Sequence, residues 1–214
     1  MKKGLFITFE GPDGSGKTTI SSKVQQVLNE KGYTTIYTRE PGGSRIAEEI
    51  RDLILNPVNT EMDVKTEALL YAASRRQHLV ERILPNLEKG NHVISDRFVD
   101  SSLVYQGVGR NIGIDAVWQI NKFALDGHIP DLTIYLDISA QEGLDRISDR
   151  KFKDRLDQED IAFHEKVHAG YELIKEQFKE RIVIFDGRRS IEQLTNEISS
   201  YLMKWIDSFE DTNH

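Results

Sequence analysis

A glycine-rich segment near the start of the chain constrains the fold more than any other feature. Residues 11–18 read GPDGSGKT and satisfy the pattern G-x-x-x-x-G-K-[ST]. The segment follows a short β-rich run, Leu5 to Phe9, and opens a stretch with helical spacing, Thr18 to Glu30. This strand, loop and helix context predicts a P-loop, in which backbone N–H groups and a helix N-terminus bind phosphate.

The residues of this loop have different expected roles. Lys17 would reach the β- and γ-phosphates of a nucleoside triphosphate, and the Thr18 hydroxyl would hold Mg²⁺. Asp96, which ends a later β-rich run, is a second candidate for the metal site. The sequence thus predicts binding of ATP or GTP with Mg²⁺ by Gly11, Pro12, Asp13, Gly14, Ser15, Gly16, Lys17 and Thr18.

Short β-rich runs alternate with longer helical stretches along the whole chain. This alternation predicts an α/β protein with a P-loop NTPase fold, whose five-stranded parallel sheet carries helices on both faces. Residues 1–214 are expected to form a single domain. The predicted strands are Leu5–Phe9, Thr34–Thr38, His92–Ser95, Leu132–Asp137 and Arg181–Phe185, and the predicted helices are Thr18–Glu30, Glu67–Leu87, Ala116–Leu125, Ile161–Phe178 and Ile191–Ile206.

Charge and composition exclude several classes of function. Lys and Arg total 28 against 35 Asp and Glu, and a net charge of -7 argues against binding a long nucleic acid. The chain has no cysteine, which excludes disulfides, Cys-ligated zinc and thiol catalysis. No apolar run reaches the roughly 20 residues of a membrane-spanning helix, and the N-terminal run is too short for a secretion signal. A cytoplasmic protein is therefore expected.

Two common classes of P-loop protein fit poorly. A GTPase would need the guanine-reading pattern N-K-x-D, but residues 121–124 read NKFA, with alanine in place of the aspartate. A motor or helicase would need an acidic pair at a strand end, and Arg97 follows Asp96 where the second carboxylate should stand.

Five segments, the P-loop among them, together resemble the thymidylate kinase family, in that family's order over essentially the whole chain. The resemblance implies a dTMP kinase, which makes dTDP and ADP from dTMP and ATP, with Mg²⁺ as cofactor and a homodimer as the assembly. The segments are FEGPDGSGKTT from Phe9, TREPGG from Thr38, SRRQH from Ser74, DRFVDSSLVYQG from Asp96 and RLDQED from Arg155.

Arginines from separate segments are the candidates for the acceptor phosphate. Arg39 and Glu40 end the second predicted strand, where ligands bind in open α/β sheets, although a surface ion pair is the alternative. By resemblance, Arg39 and Arg97 approach the acceptor phosphate and Arg51 contributes to it. The planar guanidinium suits this task because it grips two phosphate oxygens at once.

Two pairs at helical i, i+4 spacing are the candidates for the acceptor base. The resemblance implies that Tyr71 stacks on thymine, in place of the family's usual phenylalanine, and that Arg75 bonds the base edge. The resemblance also implies that Gln106 reads thymine, that Ser102 supports Gln106 and that Tyr105 crowds the position of a ribose 2′-OH. An amide both donates and accepts, which suits a pyrimidine edge. Surface packing is the alternative for the first pair, and a plain helix start for the second.

The P-loop carboxylate and a basic segment complete the predicted site. By resemblance, Asp13 lies near the acceptor sugar or its metal, with a solvent-facing side chain as the alternative. Residues 146–155 read RISDRKFKDR and would otherwise be a solvated loop. By resemblance they form a lid, about 146–157, that closes over ATP. Arg146 is expected on the ATP side, and Arg150 is the first candidate for a catalytic lid residue, with Arg155 second and Lys151 also open.

One competing motif suggests different chemistry. Residues 164–168 read HEKVH, a match to the zinc-protease pattern H-E-x-x-H, and Glu172 could complete the set by spacing. The apolar positions of this stretch instead fit the buried stripe of an amphipathic helix. A kinase for UMP, CMP or a deoxynucleoside, and a nucleotide-binding regulatory protein, are the remaining rivals.

Overall fold

The structure is a computed structural model that describes residues 3–148, 155–156 and 158–212. Its five strands form one parallel sheet in the order β2-β3-β1-β4-β5. The predicted P-loop fold is confirmed, and each predicted strand lies within one residue of the observed one. The strands are β1 (Phe6–Glu10), β2 (Thr35–Arg39), β3 (His92–Asp96), β4 (Leu132–Asp137) and β5 (Ile182–Asp186).

Nine α-helical segments occur in the described part of the chain. Two of them run into wider π-helical turns, Leu79–Ile83 between α3 and α4 and Leu103–Gly109 after α5. The helices are α1 (Lys17–Glu30), α2 (Arg45–Leu55), α3 (Val64–His78), α4 (Leu84–Glu88), α5 (Val99–Ser102), α6 (Ile114–Leu125), α7 (Ala140–Ile147), α8 (Ile161–Gln177) and α9 (Ile191–Thr212).

The long predicted helix from Glu67 to Leu87 is interrupted rather than continuous. Pro85 is the second residue of α4, and a proline has no N–H to donate and clashes with the carbonyl four residues earlier. The π-helical turn immediately before it accommodates both effects, because widening the helix moves that carbonyl away. The direction of the chain is kept, so Tyr71 and Arg75 still lie on one helix.

Two apolar clusters cover opposite faces of the sheet. Phe6 and Ile7 are neighbours on β1 and belong to different clusters, as the alternation of side chains along a strand requires. Helices α1 and α9 cover one cluster, and the α3 to α6 region with α8 covers the other. Both faces of the sheet are therefore buried, and its carboxyl edge is left as the place for ligands. No helix of the described residues is long and apolar enough to cross a bilayer.

Candidate active site

A cavity of about 520 Å³ opens at the edge of the sheet where β1, β2 and β3 end. The register aligns Phe9 and Arg39 with Asp96, so residues that follow these strands meet there. The cavity brings together most of the predicted site. The predicted residues that line it are Asp13, Gly14, Gly16, Lys17, Thr18, Arg39, Glu40, Arg51, Tyr71, Arg75, Asp96, Arg97, Ser102, Tyr105, Gln106 and Arg146.

Lys17 is held by the loop that precedes it. Its Nζ donates to the carbonyl oxygens of Gly11 at 2.8 Å and Pro12 at 2.7 Å, and to the Ser15 hydroxyl at 3.3 Å. Burial, and then the charge of Arg97, lower the pKa of Lys17 to about 7. The predicted loop residues Gly11, Pro12 and Ser15 thus lie behind Lys17 and aim it, and a bound anion would favour its charged form.

Close contact with α7 fixes the position of the P-loop. A Cβ on Gly14, whose φ is +79°, would lie 2.2 Å from the Gly143 carbonyl oxygen, so only glycine fits. Arg146, one turn further along α7, donates to the carbonyl oxygens of Gly14 at 3.3 Å and Gly187 at 3.1 Å. Helix α7 therefore places Arg146 beside the phosphate loop, and its role on the ATP side stays a prediction.

The hydroxyl and carboxylate predicted for Mg²⁺ lie side by side. Thr18 Oγ1 donates to Asp96 Oδ2 at 2.5 Å. The other carboxylate oxygen, Oδ1, is buried and has no hydrogen-bond partner among the described residues. Oxygen donors of this kind are the ligands that Mg²⁺ prefers, so the pair fits the ion.

Arg97 links the P-loop to the segment that follows β3. Its backbone is left-handed, with φ 69°, which turns the side chain back toward the loop. The guanidinium donates to Asp13 Oδ1, to Ser101 Oγ at 3.0 Å and to Tyr105 OH at 3.3 Å, while Tyr105 OH donates to Asp13 Oδ2 at 2.8 Å. The water-facing alternative for Asp13 is not what the structure shows.

This network controls the charge of Asp13. Burial by itself would raise the pKa of the carboxyl. The charges of Arg97 and Lys17 and the hydrogen bond from Tyr105 outweigh burial and hold the pKa at about 2. Asp13 therefore stays ionised at neutral pH and fixes the side chains of Arg97 and Tyr105 in the cavity.

Arg75 is 1% exposed and anchored on several sides. Its Nε donates to Glu40 Oε2 at 2.8 Å, and its terminal nitrogens donate to Asn121 Oδ1 and to Ser102 Oγ at 3.0 Å. Tyr71, one turn earlier on α3, is 8% exposed and lines the same cavity. The surface-packing alternative for this pair is excluded, because both side chains are buried at the cavity wall.

Two more arginines converge on one carbonyl oxygen. Arg39 and Arg51 donate to the oxygen of Pro41 at 2.8 Å and 2.9 Å, and Arg39 also pairs with Glu48 at 2.9 Å. The surface ion pair that was the alternative for Arg39 and Glu40 is not observed, because Arg39 pairs with Glu48 and the buried Glu40 pairs with Arg75. Arg39 also lines the cavity. Together with Arg97, these side chains bring three guanidinium groups to the cavity from β2, α2 and the end of β3.

A family model described as thymidylate kinase matches residues 9–198 of the chain. This chain belongs to the thymidylate kinase family. It is 55% identical over 194 residues to a thymidylate kinase of Geobacillus sp. (strain WCH70), covering 90% of this chain and 92% of that one. It is 52% identical over 204 residues to a thymidylate kinase of Clostridium novyi (strain NT), covering 94% and 100%. The predicted family and enzyme class are confirmed, and ATP is the family's phosphoryl donor.

Glu10 is a buried carboxyl that the sequence reasoning missed. In this member of the thymidylate kinase family it ends β1, and its Oε1 accepts from the backbone N–H groups of Phe98 at 2.8 Å and Ser101 at 3.3 Å. Its Oε2 accepts from Ser101 Oγ at 2.6 Å and Tyr171 OH at 3.1 Å. Burial and the nearby charge of Asp100 raise the pKa of Glu10 to about 7. Glu10 therefore holds the segment next to Arg97.

The pKa of Glu10 predicts a pH dependence of stability. A carboxyl with a pKa of about 7 when folded and about 4.5 when unfolded binds more protons in the folded state between those values. Its contribution to the free energy of unfolding therefore falls as pH rises through this window, by at most about 3 kcal/mol. Glu10→Gln keeps the hydrogen bonds, because its amide can accept from N–H groups and donate to hydroxyls. Since the amide does not titrate, the variant should lack this pH-dependent decrease in the free energy of unfolding.

Urea unfolding at pH 5, 6, 7 and 8 measures the effect. The variant should gain stability relative to the unaltered chain as pH rises from 5 to 7. The matched control is Glu30→Gln, an exposed carboxylate at the end of α1, whose profile should run parallel to that of the unaltered chain. If the stability of Glu10→Gln also changes with pH in parallel with that of the unaltered chain, Glu10 does not titrate in this window.

The structure describes only some of the predicted lid residues, and not all of those line the cavity. Arg150 and Lys151 lie outside the described residues. Arg155 does not line the cavity: its Nε donates to the Ile54 carbonyl oxygen at 2.9 Å and its guanidinium pairs with Glu67 at 2.5 Å. Its catalytic role stays a prediction. The neighbouring Leu156 does line the cavity.

The two histidines of the H-E-x-x-H match do not share a site. Among the described residues, Asp137, His168 and Glu172 form the one group of three or more His, Asp or Glu whose potential ligand atoms lie within 4.8 Å of one another, and His164 is not part of it. Lys175 already pairs with the carboxylates of Asp137 at 3.7 Å and Glu172 at 2.5 Å. Because the chain belongs to the thymidylate kinase family, the zinc-protease alternative is excluded.

Proposed function

We propose that this protein transfers the γ-phosphoryl group of ATP to dTMP, producing dTDP and ADP for dTTP synthesis. One observation carries the proposal. The cavity that contains Lys17 and Thr18 of the P-loop also contains the buried base-edge candidates Arg75 and Gln106. ATP and dTMP would thus bind to opposite sides of a single cavity.

The P-loop side is proposed to bind ATP. Lys17 and the backbone N–H groups of residues 11–18 are suited to the β- and γ-phosphates, and Arg146 lies at the rim of the loop. Thr18 and Asp96 would hold Mg²⁺, supported by the unpartnered Asp96 oxygen. Bound there, the ion would neutralise charge on the phosphate oxygens.

The opposite wall is proposed to bind dTMP. Arg39, Arg51 and Arg97 would hold its phosphate, because three guanidinium groups can pair with one dianion from several sides. Tyr71 would stack on thymine, with Arg75 and Gln106 at the base edge. Glu40 and Ser102 would act by holding Arg75, which both contact.

Selection of the sugar is proposed for Tyr105 and Asp13. The Tyr105 ring packs under the Arg97 guanidinium, 5.0 Å from its centroid, and its hydroxyl is tied to Asp13. The ring cannot move away without breaking both contacts. A ribose 2′-OH would meet a fixed wall here, which favours the deoxy form.

The transfer step needs positioning rather than a base. An oxygen of the dTMP phosphate is already anionic, so it can form the new P–O bond to the γ-phosphorus as the bond to the β-phosphate oxygen of ADP breaks. Lys17 and Arg97 would stabilise charge on the transferring group. We propose Arg150 and, second, Arg155 for the same task when the lid closes and excludes water.

An ADP-release assay with separate acceptors tests the proposal. With ATP and Mg²⁺, turnover should be strong on dTMP, weaker on dUMP and small on UMP, CMP, AMP and GMP. Direct product analysis should identify dTDP. Preference for another monophosphate would favour the rival kinases, and ATP binding without turnover on any acceptor would favour a regulatory protein.

We also propose a homodimer formed through α3 and α6. Leu69, Ala73, Arg76 and Val80 recur at helical spacing and are all exposed, so a largely apolar stripe faces outward. Phe123 on the adjacent α6 is 91% exposed. Sedimentation at several protein concentrations tests this, and a monomer at every concentration would contradict the proposed dimer.

Use of ATP also favours a cytoplasmic location, and the net charge of -7 argues against a nucleic-acid partner.

A further inference from the structure

The side-chain amide of Gln106 is held from behind by a buried carboxylate. Gln106 is 1% exposed at the cavity wall, and its Nε2 donates to Glu67 Oε1 at 2.8 Å. Glu67, in the first turn of α3, is 0% exposed. The amide makes no other hydrogen bond with the described residues, so its Oε1 is the atom left for a molecule in the cavity.

The chemistry of Glu67 permits one orientation of this amide. Arg155 pairs with Glu67 Oε2 at 2.5 Å and Arg110 with the same oxygen at 3.3 Å. Two guanidinium groups therefore donate to the side chain of Glu67, and a carboxylate can only accept hydrogen bonds. A reversed Gln106 amide would set two oxygens against each other in a buried place, which is strongly unfavourable.

We propose that Glu67 is a positioning residue that sets base specificity, because it holds Gln106 with its carbonyl oxygen toward the base. The proposal rests on the dTMP kinase activity proposed above. Thymine and uracil carry an N3–H that can donate to this oxygen. Cytosine has a lone pair at N3 instead, so the two acceptors would repel, and the site rejects cytosine nucleotides.

A second contact limits how much of the discrimination depends on Glu67. Arg75 is anchored by Glu40, Asn121 and Ser102 rather than by Glu67. Its guanidinium can only donate, which suits the O4 of thymine and opposes the amino group of cytosine. Loss of the carboxylate at position 67 should therefore weaken the discrimination without abolishing it.

Glu67→Gln tests the proposal, because a glutamine at 67 can either accept or donate and frees Gln106 to turn. The ratio of kcat/KM for dTMP to that for dCMP should fall about tenfold. The matched control is Arg110→Gln, which removes a positive partner of Glu67 but keeps the carboxylate. In that variant the ratio should equal that of the unaltered chain, whatever happens to the absolute rates.

The outcomes separate the inference from the activity it rests on. Absence of dTMP turnover by the unaltered chain would refute the proposed function and this inference with it. Turnover by the unaltered chain, with the same ratio in Glu67→Gln, would refute the inference alone and leave Glu67 a structural residue. If Glu67→Gln does not fold, a neutron diffraction structure of the unaltered chain with dTMP decides, because neutrons distinguish the amide nitrogen from the oxygen. Gln106 nitrogen on Glu67 and Gln106 oxygen on N3 of the base would support the proposal, and a reversed amide or a broken Glu67 contact would overturn it.

Discussion

Lys17→Met should lower kcat/KM for ATP by about a thousandfold while leaving the fold intact. Among the described residues, Lys17 is the only lysine that lines the cavity. Methionine has a side chain of similar length but no charge. The transferring group would lose the cation aimed at it by the carbonyl oxygens of Gly11 and Pro12. Steady-state kinetics with saturating dTMP measures the loss.

The stability of this variant separates a catalytic effect from unfolding. Burial, and then Arg97, lower the pKa of Lys17 to about 7, so the folded chain binds fewer protons than the unfolded chain between about 7 and 10.5. The charged lysine therefore destabilises the free protein at pH 7, and its removal should not lower the melting temperature there. Lys23→Met, at an exposed position of α1, is the matched control. More than a tenth of the activity remaining in Lys17→Met would contradict the role.

Arg97→Gln should lower kcat/KM for dTMP by about a hundredfold, with a smaller effect on KM for ATP. The substitution removes a phosphate anchor and leaves the Asp13 carboxylate without its ionic partner. Arg97→Lys should recover only part of the loss, because an ammonium lacks the planar fork. Titrations of dTMP and of ATP, each at saturating concentration of the other, measure the two effects.

A double variant shows whether Arg97 acts on the substrate or only on Asp13. Adding Asp13→Asn to Arg97→Gln removes the unpaired charge and should restore the melting temperature. It should not restore turnover. Arg82→Gln, an exposed arginine in the π-helical turn after α3, is the control and should match the unaltered chain. Recovered activity in the double variant would show that Arg97 is structural.

The elements of the sheet could be predicted because each is a local pattern. The run Leu132–Asp137 alternates between the two faces and is bounded by Pro130, so its observed limits match the predicted ones. Helix α7 is short, and the strongest local signal for it is the capping box of Ser139 and Glu142. The sequence contains that signal, and the helices predicted above do not include α7.

The buried polar contacts could not be predicted in the same way. Glu10 meets Tyr171 and Glu67 meets Gln106 across 161 and 39 residues of sequence, and no local pattern links them. Along α3, Glu67 is one acidic residue of a first turn, where acidic residues are common for reasons of the helix dipole. Only the packing of α3 against the segment after α5 shows that it is buried and faces the amide. The single-domain reading of residues 1–214, with a lid at about 146–157, stays a prediction.

The division of the core between the two faces of the sheet has a practical consequence for engineering. None of the residues in the cluster under α1 and α9 lines the cavity. Phe98 and Tyr105 belong to the other cluster and also line the cavity. Libraries that seek a more heat-resistant catalyst should therefore vary Val24, Ile198 and Leu202 first. Repacking the opposite face would change thermal tolerance and substrate choice together, and the two traits could not be optimised separately.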